Sequence, residues 1–167
     1  MYSDEKPLSL AGVVSVVKII AAEEGKQRLW YLATPYSKYP HGIIASFQHS
    51  AAIGGALLKE GVPAFGPISH SHPMAAYGGV KALDHSVWLP FDKYIMEVSA
   101  GIIVATMDGW SDSYGVTWEI EQFKKWGRPI LYLDPTEILT NAEDTIKAAS
   151  IEYAEYTAET YGVSIRC

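Results

Sequence analysis

The sequence is nearly without cysteine: the one in its 167 residues is Cys167, the last. An intrachain disulfide is therefore excluded, and a reducing, cytoplasmic setting is expected. Positive charge is also in short supply. Thirteen Lys and Arg stand against nineteen Asp and Glu, a formal net charge of −6, so the basic footprint that holds a nucleic acid polymer is missing. No long apolar run is present either. Leu8 to Ala22 is interrupted by Lys18 and is too short to span a bilayer comfortably. Asp4 and Glu5 precede it where a secretory signal would be basic, so neither export nor a membrane partner is expected. No Gly-x-Gly-x-x-Gly follows the first apolar strand, and no Gly-Lys-Ser/Thr occurs. These absences remove the dinucleotide fingerprint and the phosphate loop. Internal repeats and low-complexity segments are lacking too. Hydrophobic residues make up 49% and charged residues 19%, the balance of one ordinary globular domain with a good core.

Short apolar runs then alternate with helical spacing. Residues 1–28 read as a helical extension whose face of Leu10, Val13, Val14, Val17 and Ile20 packs on the domain or on another subunit, although the valines leave a strand open. Residues 29–140 form the α/β domain, and 141–167 a C-terminal helix and tail. Strands are expected at Leu29 to Ala33, Val62 to Phe65, Gly101 to Thr106 and Ile130 to Leu133. Helices are expected at His41 to Lys59 (apolar stripe Ile44, Phe47, Ala51, Leu58), Leu89 to Val98, Ser113 to Trp126 and Asn141 to Tyr161. Between the second strand and about Asp84, a stretch rich in Gly, Pro, Ser and His reads as a loop. The alternation argues for a single-domain α/β fold: a Rossmann-like or flavodoxin-like parallel sheet of about five strands, with helices on both faces. Ligands in such sheets bind beyond the carboxyl ends of the strands. That edge gathers the loops at Thr34 to Ser37, Gly66 to Gly79, Asp108 to Ser113 and Asp134 to Thr136.

The chemistry centres on Met107 to Glu121, where an apolar strand breaks at a tight loop and a helix begins at Ser113. A hydroxyl there caps free backbone N–H groups, and the same groups bind phosphate or sugar oxygens. Glu119 lies about two turns further on, facing the same mouth or solvent. Asp92 follows Pro90, a position that also suits a helix-start carboxylate. Together the two carboxylates could flank a glycosidic bond, whose cleavage passes through an oxocarbenium-like state. His70-Ser71-His72 could set two imidazoles on one side of an extended segment, as in some metal sites. The metal-hydrolase barrels that use such a pair need a longer chain. No metal is therefore expected, and the histidines read as pocket lining or as rigidifying the loop.

Four segments resemble one family: Tyr31-Leu32-Ala33-Thr34-Pro35-Tyr36-Ser37, Pro67-Ile68-Ser69-His70-Ser71-His72-Pro73, Trp88-Leu89-Pro90-Phe91-Asp92, and Ser113-Tyr114-Gly115-Val116-Thr117-Trp118-Glu119. They are similar to motifs of the nucleoside 2-deoxyribosyltransferase superfamily, which includes nucleoside 5′-monophosphate N-glycosidases. The resemblance implies that Glu119 attacks or stabilises the anomeric carbon, Asp92 assists the leaving base, and Tyr31 orients the carboxylates. Transferases acting on free nucleosides carry aspartate six residues before the glutamate; the monophosphate hydrolases carry serine, as here at Ser113. A carboxylate would repel a phosphate dianion, whereas a hydroxyl at a helix start attracts it, and Gly115 would let the backbone approach closely. No arginine clamps phosphate in the first loop, leaving Thr34, Pro35, Ser37 and Lys38 around it. Asp108 and Asp112 lie near enough to make the pocket anionic if either points inward. His70, His72, Trp88 and Trp110 would line the base pocket, with aromatic core packing as the competing reading. Family members complete the site from a neighbouring subunit, which points to Thr140 and Asn141 and to a homo-oligomer.

The expected activity is hydrolysis of the N-glycosidic bond of a (deoxy)nucleoside 5′-monophosphate, without metal or organic cofactor. The alternatives are base exchange on free deoxynucleosides by a deoxyribosyltransferase and a non-catalytic nucleotide sensor.

Overall fold

The computed structural model describes the backbone of residues 6–161 and the side chains of residues 6–151. Four strands form one parallel sheet: β1 (Trp30–Ala33), β2 (Ala64–Phe65), β3 (Ile102–Ala105) and β4 (Ile130–Leu133), in the order β2-β1-β3-β4. Tyr31 is in register with Phe65 on one side and Ile102 on the other. The sheet of about five strands expected from sequence is four among the described residues. At the β4 edge Leu8 adds a parallel bridge, its N–H donating to the Tyr132 carbonyl (2.8 Å) while its own carbonyl accepts from Asp134 N–H (2.8 Å).

Among the described residues six α-helices complete the fold: α1 (Leu10–Glu24), α2 (Gly42–Lys59), α3 (Pro67–Gly78), α4 (His85–Val98), α5 (Tyr114–Lys125) and α6 (Thr136–Tyr161). Alternate strand residues face opposite ways, and each face has its own core. Trp30, Leu32, Ile103, Ala105 and Leu133 pack with Val13, Val14 and Val17 of α1, Ile53 and Leu57 of α2, and Ile138 of α6. Tyr31, Ala33, Ile102 and Val104 pack on the other face with Met96 of α4 and Val116, Ile120 and Phe123 of α5. Because β1 and β3 are covered on both faces, all their residues are buried, which is why they read as unbroken apolar runs.

Three expectations need correction. The stretch read as a loop contains α3: Pro67 sits at its first position, where the lost N–H costs nothing, and Gly79 closes it in the left-handed conformation (φ +70). Helix α4 starts four residues before Leu89, with the Asp84 side chain accepting from Ser86 N–H (3.1 Å), so Pro90 lies inside it. Asp92 is therefore in mid-helix and not at a helix start. The apolar stripe assigned to α2 does not face the core. Ile44 (62% exposed) and Leu58 (57%) lie outside, while Ser46 and Ser50 are buried. The serine hydroxyls explain the rotation: Ser46 donates to the Pro35 carbonyl (2.6 Å) and Ser50 pairs with Thr34 Oγ1 (2.6 Å).

Two glycines permit close approaches, Gly101 directly before β3 and Gly109 in the loop after it. A Cβ at Gly101 would fall 2.5 Å from Trp30 and 2.7 Å from the Pro129 carbonyl. At Gly109 (φ +77) a Cβ would strike the Lys38 carbonyl, so the loop after β3 lies directly against the loop after β1.

Candidate active site

Strand β1 carries Tyr31 onto the face covered by α4 and α5, where it meets one carboxylate from each helix. The Tyr31 hydroxyl donates to Glu119 Oε1 at 2.7 Å. Both groups are buried, Glu119 6% exposed and Tyr31 not at all. Asp92 is 7% exposed, and its Oδ1 has no hydrogen-bond partner. A buried acceptor left unpaired costs about 1–3 kcal/mol, and such exceptions concentrate where a ligand or reaction uses them.

Burial sets the protonation of this group. It raises Asp92 to about 7. Glu119 is raised to about 8 by burial, with the neighbouring Asp92 charge adding to the rise and the Tyr31 hydrogen bond opposing it. Tyr31 is held well above its ordinary value by burial first, then by the Glu119 and Asp92 charges. Near neutrality the carboxylates titrate as a pair and retain protons.

Ser113 is the N-cap of α5: its Oγ accepts from Val116 N–H at 3.5 Å, and the residue is 7% exposed. Tyr114 and Gly115 open the helix, where N–H groups have no intrahelical acceptor. A Cβ at Gly115 would meet no protein atom within 4 Å, so space and not packing surrounds it. Trp88 lies one turn before Asp92 on the same face of α4, buried, with its indole N–H donating to the Lys81 carbonyl (2.9 Å).

The remaining candidates make contacts other than those with the two carboxylates. Helix α3 turns the two histidines apart: exposed His70 stacks on Phe91 (5.7 Å, 13°), whereas His72 Nδ1 pairs with the Tyr36 hydroxyl (2.7 Å) and its ring stacks on Phe47 (4.6 Å). The expectation of two imidazoles on one side of an extended segment fails because the segment is helical. Among the described residues no group of three His, Cys, Asp or Glu is placed to hold a metal. Thr34 and Pro35 are buried and bonded to α2, Ser37 is exposed, and Trp110 packs against Tyr132 (5.5 Å). Asp108 and Asp112 are both exposed. Thr140 and Asn141 are exposed on α6. A separate apolar cavity of about 1150 Å³ lies between α2, α3 and α6; His72 and Asn141 line it, but neither carboxylate does. One contact at the α5 start escaped the sequence: His85 and Tyr114 stack in parallel (5.1 Å, 5°). An aromatic directly after the Ser113 cap was the available signal.

A tyrosine on a central parallel strand, holding one buried carboxylate beside a second, defines a class of α/β site suited to acid–base or nucleophilic chemistry. Over residues 28–134 the chain matches a family described as a domain of unknown function, DUF1937, and it belongs to that family. No curated protein matches it. The matched span contains Tyr31, Asp92, Ser113 and Glu119.

Proposed function

We propose that the protein is an N-glycosidase of the nucleoside 2-deoxyribosyltransferase type, hydrolysing a (deoxy)nucleoside 5′-monophosphate to free base and sugar 5-phosphate. The observation that carries this reading is the buried Tyr31–Glu119 hydrogen bond (2.7 Å) beside the unpaired Asp92 carboxyl. The strand order β2-β1-β3-β4 supports it, being that of the first four strands of a flavodoxin-like sheet, whose ligand site lies at the β1/β3 switch point.

Glu119 acts as the ionised nucleophile. Its oxygen bonds to the anomeric carbon, the C–N bond breaks, and its electron pair leaves with the base, which takes the proton of Asp92. Water then displaces Glu119 and returns a proton to Asp92. Tyr31 keeps Glu119 in line by donating to the oxygen that does not attack, and favours the charged form. Burial leaves Glu119 (about 8) more basic than Asp92 (about 7) at rest, so the mechanism requires the pair's proton to sit on Asp92 when substrate is bound. Positive charge developing on the sugar favours that arrangement by drawing the anion to Glu119.

Substrate choice rests on the α5 start. Ser113 Oγ already accepts from Val116, leaving its hydroxyl proton to donate to a phosphate oxygen, and the Tyr114 and Gly115 N–H groups complete an anion seat. The setting is cytoplasmic, and the enzyme is a homo-oligomer. Release of base from 5′-monophosphates but not from nucleosides tests this reading; base exchange on free deoxynucleosides would replace it with a transferase.

A further inference from the structure

Helix α4 has two apolar faces: one is buried against the domain, and the other stays largely exposed, touched within the chain where His70 stacks on Phe91 (5.7 Å). Trp88, Asp92 and Met96 are buried against the domain. On the opposite side Val87 (45% exposed), Phe91 (36%), Tyr94 (72%) and Val98 (61%) form a continuous stripe. Their spacing, four, three and four residues, is that of a coiled-coil seam, in which alternate steps of three and four keep a stripe facing a partner helix. Exposed apolar residues arranged as a seam mark an interface, unlike scattered ones.

We infer that α4 is a docking surface for a second copy of this chain, the two α4 helices packing antiparallel about a two-fold axis between Phe91 and Tyr94. The inference rests on the homo-oligomer of the proposed function and names its surface, while base release from nucleotides is measured separately and can fail without it. Two features of the seam select a second copy as the occupant. First, the seam reads the same in both directions. Antiparallel pairing sets Val87 against Val98 of the other copy and Phe91 against Tyr94, branched against branched and ring against ring, the self-complementarity that an isologous interface requires. Second, the area is sufficient. From their exposures, and with a full aromatic side chain worth about 150–250 Å², the four residues leave roughly 400 Å² uncovered per copy. With the flanking Pro90 and Glu97, two copies bury about 1,000 Å², the lower bound of a specific interface.

Charge does not oppose the arrangement. The seam itself is uncharged, and the adjacent Lys93 and Glu97 neutralise one another on their own helix (3.8 Å). Opposite helix ends also lie side by side in the antiparallel pair, which suits their dipoles. The helix is presented rigidly: Arg128 Nη1 donates to the carbonyls of Met96 (2.9 Å), Glu97 (2.8 Å) and Ser99 (2.9 Å), closing its C-terminal end.

Sedimentation equilibrium of the full chain at micromolar concentration tests the inference. The wild type is expected at the mass of a dimer, Phe91→Glu/Tyr94→Glu at that of a monomer, and Ile44→Glu, on the exposed face of α2, still at that of a dimer. Circular dichroism confirms that each variant is folded; should the double variant not fold, Tyr94→Lys takes its place. A monomeric wild type, a dimeric seam variant or a monomeric Ile44→Glu would overturn the proposal. Orientation is read by oxidative cross-linking in a Cys167→Ser background. Val87 and Val98 are about 16 Å apart along the helix, beyond the reach of a disulfide. Val87→Cys/Val98→Cys is therefore expected to yield covalent dimer while Val87→Cys alone does not. Efficient cross-linking by Val87→Cys alone would contradict the antiparallel pairing.

Discussion

Replacing Asp92 by asparagine should change stability in a way that depends on pH and not simply lower it. In the folded chain Asp92 keeps its proton up to about pH 7, raised by burial from 3.8. The unfolded chain releases that proton near 3.8. A raised carboxyl contributes its full stability below the unfolded value, and that stability is lost as pH climbs to the folded value, levelling off beyond it. At about 1.4 kcal/mol per pKa unit, the loss between pH 4 and pH 8 is about 3–4 kcal/mol. Asparagine has no charge to release, so it does not suffer this loss. Its amide brings its own cost of about 1–2 kcal/mol, because the atom at Oδ1 has no donor in the wild type and a buried amide must be satisfied. Asp92→Asn should thus be slightly less stable than the wild type at pH 4 and about 2 kcal/mol more stable at pH 8. Urea denaturation at the two pH values measures both differences. A difference between variant and wild type that is the same at pH 4 and pH 8 would refute the reasoning, since it would mean Asp92 titrates alike in both states.

The other predictions concern individual contacts. Glu119→Gln removes the charge and keeps the shape, so turnover should fall by at least about 10³-fold with nucleotide binding retained in calorimetry; substantial residual turnover would exclude Glu119 as nucleophile. Tyr31→Phe deletes the donor that lowers the pKa of Glu119 (2.7 Å), so the rise of kcat/KM with pH should move to higher pH, and an unmoved profile would count against the orienting role. Ser113→Asp should weaken 5′-monophosphate binding about tenfold or more and nucleoside binding little, by repulsion at the helix start; equal losses would remove the phosphate argument. Gly101→Ala drives a methyl into Trp30 and the Pro129 carbonyl, and thermal denaturation should show a loss of about 1–3 kcal/mol.

The sheet was legible because its strands are buried on both sides. Leu29 to Ala33 and Gly101 to Thr106 contain no polar residue before their ends, and a parallel strand between two helical layers has no need of one. The helices were harder to read. Proline and glycine are the strongest breakers in sequence, yet Pro67 opens α3 and Pro73 and Pro90 are absorbed within helices. Helix α2 misled for another reason. Ser46 and Ser50 face inward because they satisfy Pro35 and Thr34, and a stripe chosen by apolarity then selects the outer face. Leu8 is a single bridge residue, too short a feature to carry a strand pattern. At the site, Ser113 and Glu119 were legible from the loop and helix after the third strand, whereas the roles of Tyr31 and Asp92 came from the family resemblance; the structure gathers Tyr31 and the two carboxylates. The segment of the two histidines was read as extended but is helical: two residues apart they share a side in an extended chain and diverge on a helix.

A chromatographic screen of the purified chain against the common nucleosides and their 5′-monophosphates, each with and without an added acceptor base, tests the central claim most directly. Free base released from one or more monophosphates and from no nucleoside is the predicted result. Base exchange that requires an acceptor, or release from free nucleosides alone, would contradict it.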